Sequence, residues 1–345
     1  MKIVVDDKIP YIREALSKTG AECIYIKGVD ISADDVRDAD ALIVRTRTRC
    51  DEALLSGSKV RFVATATIGI DHLDVDYMER AGIRWVNCPG CNAGSVAQYV
   101  ETTLLRLEES RGEKARMTGG QVKKLREMKL GIVGCGHVGS KVKAMAESKL
   151  GMKVIVNDPP VGASGYVGLS ALLRDADIIT FHVPLTRDGD YPTWHLADRR
   201  FMEALTGRSV CLINTSRGGV VDEQELLKAM ADGRVTEAVI DTWEHEPDIN
   251  RELLAKAFVA TPHIAGYSAD GKVTADNMVL DALCSFFGLE HPGRIVPPPL
   301  PDDFIYTGDA LQLYDPLKDT SSLRAHPENF EELRGNYPVR REQWR

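Results

Sequence analysis

Short apolar runs alternate with amphipathic stretches from the first residues of this chain. Runs at residues 3–5, 24–26, 41–44, 62–66 and 85–86 read as buried strands. Helical spacing of apolar positions falls between them, at residues 11–18, 33–38, 52–55 and 73–80. After Leu130 the alternation begins again, with strands expected at 130–133, 153–157, 178–181, 210–213, 238–240 and 258–260. One intervening helix is well marked: Asp222 caps it, Glu225 closes a capping box, Leu226, Leu227 and Met230 face inward, and Gly233 ends it. This order predicts an α/β protein of two parallel-sheet lobes, Rossmann-like or flavodoxin-like, with crossover helices.

Two longer helical stretches, 93–110 and 269–289, flank the second series, and the latter is expected to return the chain to the first lobe. Residues 1–92 and 269–290 are thus expected to form one lobe, and residues 93–268 the other. From residue 292 to 303 the chain becomes proline-rich and reads as a linker. Residues 314–345 are too few to build a core alone. The segment 291–345 is therefore expected to pack on another chain, as a small dimerisation segment of a homodimer.

The sharpest chemical signal lies where the second series opens. Gly134, Gly136 and Gly139 form G-x-G-x-x-G between a strand and a helix. Such glycines allow a tight turn, backbone approach to a pyrophosphate, and close helix–strand packing. The helix N-terminus adds free N–H groups and partial positive charge. Asp158 follows the last glycine by 19 residues, at the end of the next strand, where a carboxylate accepts ribose hydroxyls. No arginine adjoins it to take a 2′-phosphate, so NAD is expected rather than NADP, with contacts at Gly134, Gly136, His137, Val138, Gly139 and Asp158.

Composition narrows the alternatives. The net charge is −8, from 43 basic and 51 acidic residues, and no basic patch of nucleic-acid-binding density stands out before the C-terminus. No apolar stretch reaches the length of a membrane span, and the N-terminus does not read as a signal peptide. Seven scattered cysteines suggest a reducing, cytoplasmic setting. Cys88 and Cys91 have C-x-x-C spacing without a second pair and read as a turn; no metal is expected.

Three turns after strands carry reactive side chains: Arg217 in 214–222, Glu246 in 241–247 and His263 in 261–267. An arginine freed by two glycines presents a fork to a carboxylate. A carboxylate beside an imidazole orients it for proton exchange with a carbon undergoing oxidation. Segments 134–139, 214–222, 241–247 and 261–266 together resemble the D-isomer-specific 2-hydroxyacid dehydrogenases, and the tail at 333–344 extends the likeness. The resemblance implies that Arg217, Glu246 and His263 are catalytic. It extends the cofactor contacts to Val183, Thr215, Ser216, Arg217, Asp241 and Gly266. It implies substrate contacts at Arg45, Thr46, Thr67 and Tyr267, where guanidinium and hydroxyls suit phosphate oxygens. Arg340 and Arg341 are further phosphate candidates, reaching from the tail of a second subunit. The function implied is NAD-dependent oxidation of a phosphorylated 2-hydroxy acid. 3-Phosphoglycerate, another 2-hydroxy acid, or a nucleotide-sensing binding role remain as alternatives.

Overall fold

The strand–helix alternation folds into two parallel sheets in a computed structural model that describes residues 1–342. Residues 343–345, which include the end of the tail motif, lie outside the described residues. In chain order the first elements are β1 (Lys2–Asp6), α1 (Ile12–Ser17), β2 (Glu22–Ile26), α2 (Ala33–Val36), β3 (Ala41–Val44), α3 (Glu52–Leu55), β4 (Phe62–Thr65), α4 (Val75–Arg80) and β5 (Arg84–Val86). Then follow α5 (Ala93–Thr118), β6 (Lys129–Val133), α6 (His137–Ser148), β7 (Lys153–Asn157), α7 (Leu169–Asp175), β8 (Ile178–Phe181), α8 (Arg199–Glu203), β9 (Val210–Asn214), α9 (Glu223–Ala231), β10 (Val235–Ile240), α10 (Arg251–Lys256) and β11 (Val259–Ala260). The chain ends with α11 (Ala269–Phe287), α12 (Pro316–Ala325) and α13 (Phe330–Gly335).

Contacts divide the chain into two units, Met1–Asn92 with Ser268–Asp302, and Ala93–Tyr267 with the described residues from Asp303 on. The first unit carries the sheet β2-β1-β3-β4-β5, in parallel register (Val5 opposite Ile43, Val44 opposite Thr65). Strands β3 and β4 are buried along their whole length, which explains their unbroken apolar runs. Val279, Leu280 and Leu283 of α11 complete the core over Ile3, Ile43 and Phe62.

The second unit carries β11-β10-β9-β8-β6-β7. Its strand order reverses between β6 and β8, the place where open α/β sheets leave a crevice at their C-terminal edge. Helix α5 runs past residue 110, because Arg111 forks onto the carboxylate of Glu237 at 2.6 and 3.1 Å and holds the added turns. Asp222 caps α9 through the N–H groups of Gln224 and Glu225. Glu225 pairs with Lys228 instead of closing a capping box.

The segment beyond the proline-rich stretch, too short for a core of its own, enters the core of its own unit. Leu323 of α12 and Phe330 of α13 are fully buried beside Leu253 and Ala260, and Tyr314 stacks on Tyr99 of α5 with ring centroids 5.8 Å apart. A chain too short for its own core thus gains burial on a core already present. Among the described residues no helix is long and apolar enough to cross a membrane.

Candidate active site

At the reversal of strand order, β6 runs into the glycine turn. Gly134 has φ +87°, and a Cβ there would lie 2.6 Å from Val183 Cγ1 and 2.7 Å from the His182 carbonyl. A Cβ on Gly139 would overlap the Gly134 carbonyl, so only glycine allows the helix this close to the turn. Gly136 has no atom within 4 Å of its would-be Cβ, and no side chain caps α6. The backbone is thus open to an approaching group, with the first N–H groups of a 12-residue helix, His137 and Val138 leading, behind it. Asp158 stands beside this turn, its Oδ2 accepting from Cys135 N–H at 2.6 Å. Open turn, helix N-terminus and carboxylate fit a dinucleotide's pyrophosphate and ribose.

Val183, Thr215 and Ser216 lie just past β8 and β9 and close the same edge. Ser216 is fixed by Asn214 Oδ1, which accepts from its N–H at 3.1 Å and its hydroxyl at 2.8 Å. His182 escaped the sequence reading, since a single histidine after an apolar run carries no distinctive spacing. Burial pushes its pKa down to about 3, and the neutral ring sits between Thr180 Oγ1 at 3.0 Å and Thr215 Oγ1 at 3.3 Å. It ties the turn after β9 to β8.

Arg217, Glu246 and His263 follow β9, β10 and β11. His263 Nδ1 lies 2.8 Å from Glu246 Oε2 and 3.1 Å from Oε1, while Oε1 accepts from Trp243 N–H at 2.9 Å. Burial alone would raise the Glu246 pKa, but His263, the Trp243 N–H and the charge of Arg334 together carry it below the ordinary carboxylate range. His263 has φ +56°, a conformation that costs a β-carbon residue energy and persists only where neighbours impose it. Asp241 is that neighbour: 1% exposed, it accepts from Thr261 Oγ1 at 2.6 Å and from the N–H groups of Ile264 and Ala265 at 2.8 and 3.0 Å. The Asp241 carboxylate therefore frames the histidine turn that leads to Gly266 and Tyr267. Tyr99 adds a bond to Thr261 Oγ1 at 2.7 Å.

Arg217 enters through backbone packing. A Cβ on Gly218 would overlap the Trp243 carbonyl, so the arginine turn nests directly on the Glu246 turn. Asn214 Nδ2 donates to the Arg217 carbonyl at 2.9 Å. Tyr267 OH accepts from Arg334 Nε at 3.1 Å, a residue of α13 that the sequence reading did not single out. Arg340 does not extend toward a second subunit: it is 4% exposed, and Nη2 donates to the Ala265 carbonyl at 2.6 Å. Arg341 is likewise buried.

The first unit's C-terminal sheet edge is built differently. Arg45 and Thr46 follow β3, with Thr46 exposed, and Thr67 follows the neighbouring β4. Thr67 Oγ1 shares a hydrogen bond of 2.6 Å with Thr65 and donates to Gly69 O at 3.1 Å. Arg45 Nε lies 3.5 Å from Asp6 Oδ2 at the end of β1, and both atoms are buried without a hydrogen-bond partner among the described residues. Asp276 of α11 stands close by; burial raises its pKa to about 7 against the pull of Tyr11 N–H, Arg45 and Lys272. Neither Asp6 nor Asp276 carries a motif that sequence reading could isolate. Among the described residues no group of three or more His, Cys, Asp or Glu is placed to hold a metal ion.

Known proteins resemble this chain over most of its length. Residues 100–265 match the family described as D-isomer specific 2-hydroxyacid dehydrogenase, NAD binding domain. Proteins named erythronate-4-phosphate dehydrogenase are 51% identical in Bacteroides fragilis (99% of this chain, 97% of that protein). The corresponding protein of Escherichia coli O157:H7 is 40% identical (99% and 92%). Among solved structures, D-2-hydroxyisocaproate dehydrogenase superposes with a TM-score of 0.70 at 23% identity, covering 83% of this chain and 97% of that one. NAD⁺-bound 3-phosphoglycerate dehydrogenase of Entamoeba histolytica gives 0.66 at 28% identity, covering 87% and 99%.

Proposed function

The chain belongs to the D-isomer specific 2-hydroxyacid dehydrogenase family, and we propose that it oxidises 4-phospho-D-erythronate at C2 with NAD. The product is (R)-3-hydroxy-2-oxo-4-phosphooxybutanoate, an intermediate on the way to vitamin B6. The near-full-length likeness to proteins of that name supports the substrate. The hydrogen-bonded His263–Glu246 pair beside the Arg217 turn carries the chemistry.

Bound NAD supplies the hydride acceptor. His263, neutral, takes the proton of the C2 hydroxyl as the carbon is oxidised. Glu246 holds the imidazole through Nδ1 and leaves Nε2 for the substrate, and it stabilises the imidazolium that forms. Arg217 binds the substrate carboxylate and polarises the forming carbonyl. Asp241 keeps the histidine turn in place. Gly134, Gly136, His137, Val138, Gly139, Asp158, Val183, Thr215, Ser216, Arg217, Asp241 and Gly266 are assigned to the cofactor. Arg45, Thr46, Thr67 and Tyr267 are assigned to the substrate, with Arg45 and Thr46 on its phosphate.

The assay is NADH formation by the purified protein with 4-phospho-D-erythronate, 3-phospho-D-glycerate and D-lactate. The highest kcat/KM belongs to the first. A preference for 3-phosphoglycerate would move the substrate assignment, and NAD binding without turnover of any acid would make the protein a sensor.

We further propose a homodimer in the cytoplasm. Seven free cysteines support a reducing compartment. Ile305 (79% exposed) and Val339 (66% exposed) leave apolar surface on the C-terminal segment. Sedimentation of the double variant Ile305→Asp/Val339→Asp tests this: a monomer is expected, and an unchanged dimer would place the interface elsewhere.

A further inference from the structure

The catalytic turn is reached by a cation from far along the chain. Arg334 places Nε 3.1 Å from Tyr267 OH, and its guanidinium carbon sits 5.7 Å from that ring's centroid. Its Nη1 stands 4.0 Å from Glu246 Oε2, the oxygen nearest His263 Nδ1. The side chain is 23% exposed, so solvent screens this contact less than a surface pair. Phe330, fully buried one turn earlier in α13, anchors the helix that presents it. The approach of the guanidinium is therefore set by packing of the C-terminal segment.

We infer that Arg334 is a positioning residue of the dehydrogenase, which sets the charge balance of the Glu246–His263 pair and orients the Tyr267 hydroxyl. The inference rests on the reaction proposed above. Glu246 serves two cations when the imidazole is protonated. With Arg334 beside it, part of its field is already spent, and protonation of His263 gains less. The other groups around the pair are Asp241 under the histidine turn, Tyr267 beyond it, and Glu331, whose Oε1 lies 4.0 Å from Arg334 Nη1. Asp241 and Glu331 are acids that favour imidazolium; Arg340 donates to the Ile264 and Ala265 carbonyls behind the histidine turn, and Arg334 is the cation placed beside Glu246 itself. Oxidation requires the neutral imidazole, so the arginine keeps the base available toward lower pH. The second role follows from hydrogen-bond direction. Tyr267 oxygen accepts from Arg334 Nε, which fixes where that oxygen stands in the turn.

Arg334→Met, Arg334→Gln, Arg334→Lys and Tyr267→Phe separate the two roles. The readouts are kcat, KM and the pH profile of kcat/KM with 4-phospho-D-erythronate, together with NMR titration of His263 in the ligand-free protein. The neutral variants move the acid limb of the profile upward by about half to one pH unit, the size expected of one charge several ångströms away. The His263 titration moves the same way. Arg334→Lys keeps the limb in place, since the charge remains, yet raises KM because its ammonium is no planar fork. Tyr267→Phe raises KM without moving the limb. A purely structural arginine would lower activity in all variants with coincident pH profiles. Coincident limbs for wild type and either neutral variant, with NAD affinity intact, would overturn the inference. Should the wild type oxidise no phosphorylated acid, the functional reading fails by itself, and the NMR titration still decides the part played by Arg334.

Discussion

The two sheets end in edges of opposite character. At the C-terminal edge of β8–β11, polar groups are tied together: Asp241 holds three donors, Glu246 joins Trp243 and His263, and Ser216 is fixed by Asn214. At the edge of β1, β3 and β4, Asp6 Oδ2 and Arg45 Nε face each other at 3.5 Å, buried and without hydrogen bonds among the described residues. Asp276, nearby, is pushed by burial toward its neutral form. Groups that must move a proton on one defined path are best held rigidly beforehand. Groups that receive a charged ligand are better left with unspent hydrogen-bonding capacity, because buried polar atoms otherwise find partners. Under the function proposed above, the first edge serves reaction and the second capture.

The largest effect belongs to the rigid edge. His263→Ala lowers kcat by roughly 10²–10⁴-fold, the usual worth of a general base, while NAD affinity stays near wild type. Near-normal turnover in that variant would mean that the tightly bonded edge is only structural.

The next effect is on stability, in the first unit. Asp276 has a folded pKa of about 7, raised by burial, against about 4 in an unfolded chain. Between those values the folded state binds more protons, so the carboxyl costs stability as pH rises through this window. An asparagine side chain at this position would carry no such cost and could still accept from Tyr11 N–H, as Asp276 Oδ2 does at 3.1 Å. Asp276→Asn should therefore gain on the wild type as pH rises from 5 to 7, by about 2 kcal/mol. Urea unfolding at both pH values checks this, and a difference independent of pH would remove Asp276 from the account.

Legibility in the sequence differed between the edges for physical reasons. Strands buried on both faces are written as unbroken apolar runs, so both sheets could be read, and the glycine turn is written in residues that nothing else can replace. Arg217, Glu246 and His263 sit in turns that repeat after successive strands, so they could be picked out as candidates. His182, Asp6, Asp276 and Arg334 carry no such mark. Each matters through a neighbour tens or hundreds of residues distant, as Arg334 does for Tyr267 and Asp276 for Tyr11. The tail is half legible for the same reason: its length shows that it needs a core, but not which one.

A smaller effect is expected at the capturing edge. Arg45→Ala removes charge-assisted bonds to the phosphate, worth about 1.5–3 kcal/mol, and raises KM for 4-phospho-D-erythronate roughly 10- to 100-fold. The weak activity on unphosphorylated D-erythronate changes little. If both substrates suffer alike, Arg45 supports Asp6 and the fold of the edge, and the contrast between the two edges loses its functional meaning.

The smallest effect concerns Asp158, at the glycine turn of the second unit. Asp158 takes Cys135 N–H at 2.6 Å on Oδ2, but among the described residues Oδ1 has only the long contact of 3.4 Å to Val161 N–H. One oxygen thus anchors the carboxylate to the glycine turn, and the other keeps room for ribose hydroxyls. The same negative charge repels a 2′-phosphate, and the following residues, Pro159 and Pro160, offer no cation to offset it. Asp158→Ala removes both the acceptor and the repulsion. The ratio of kcat/KM for NAD over NADP should fall about tenfold, equivalent to about 1.4 kcal/mol, chiefly through weaker NAD binding. Steady-state kinetics with each cofactor at saturating acid measure it. A wild type that prefers NADP, or a variant with an unchanged ratio, would show that Asp158 only braces the turn, and that the cofactor end is as closed as the catalytic end beside it.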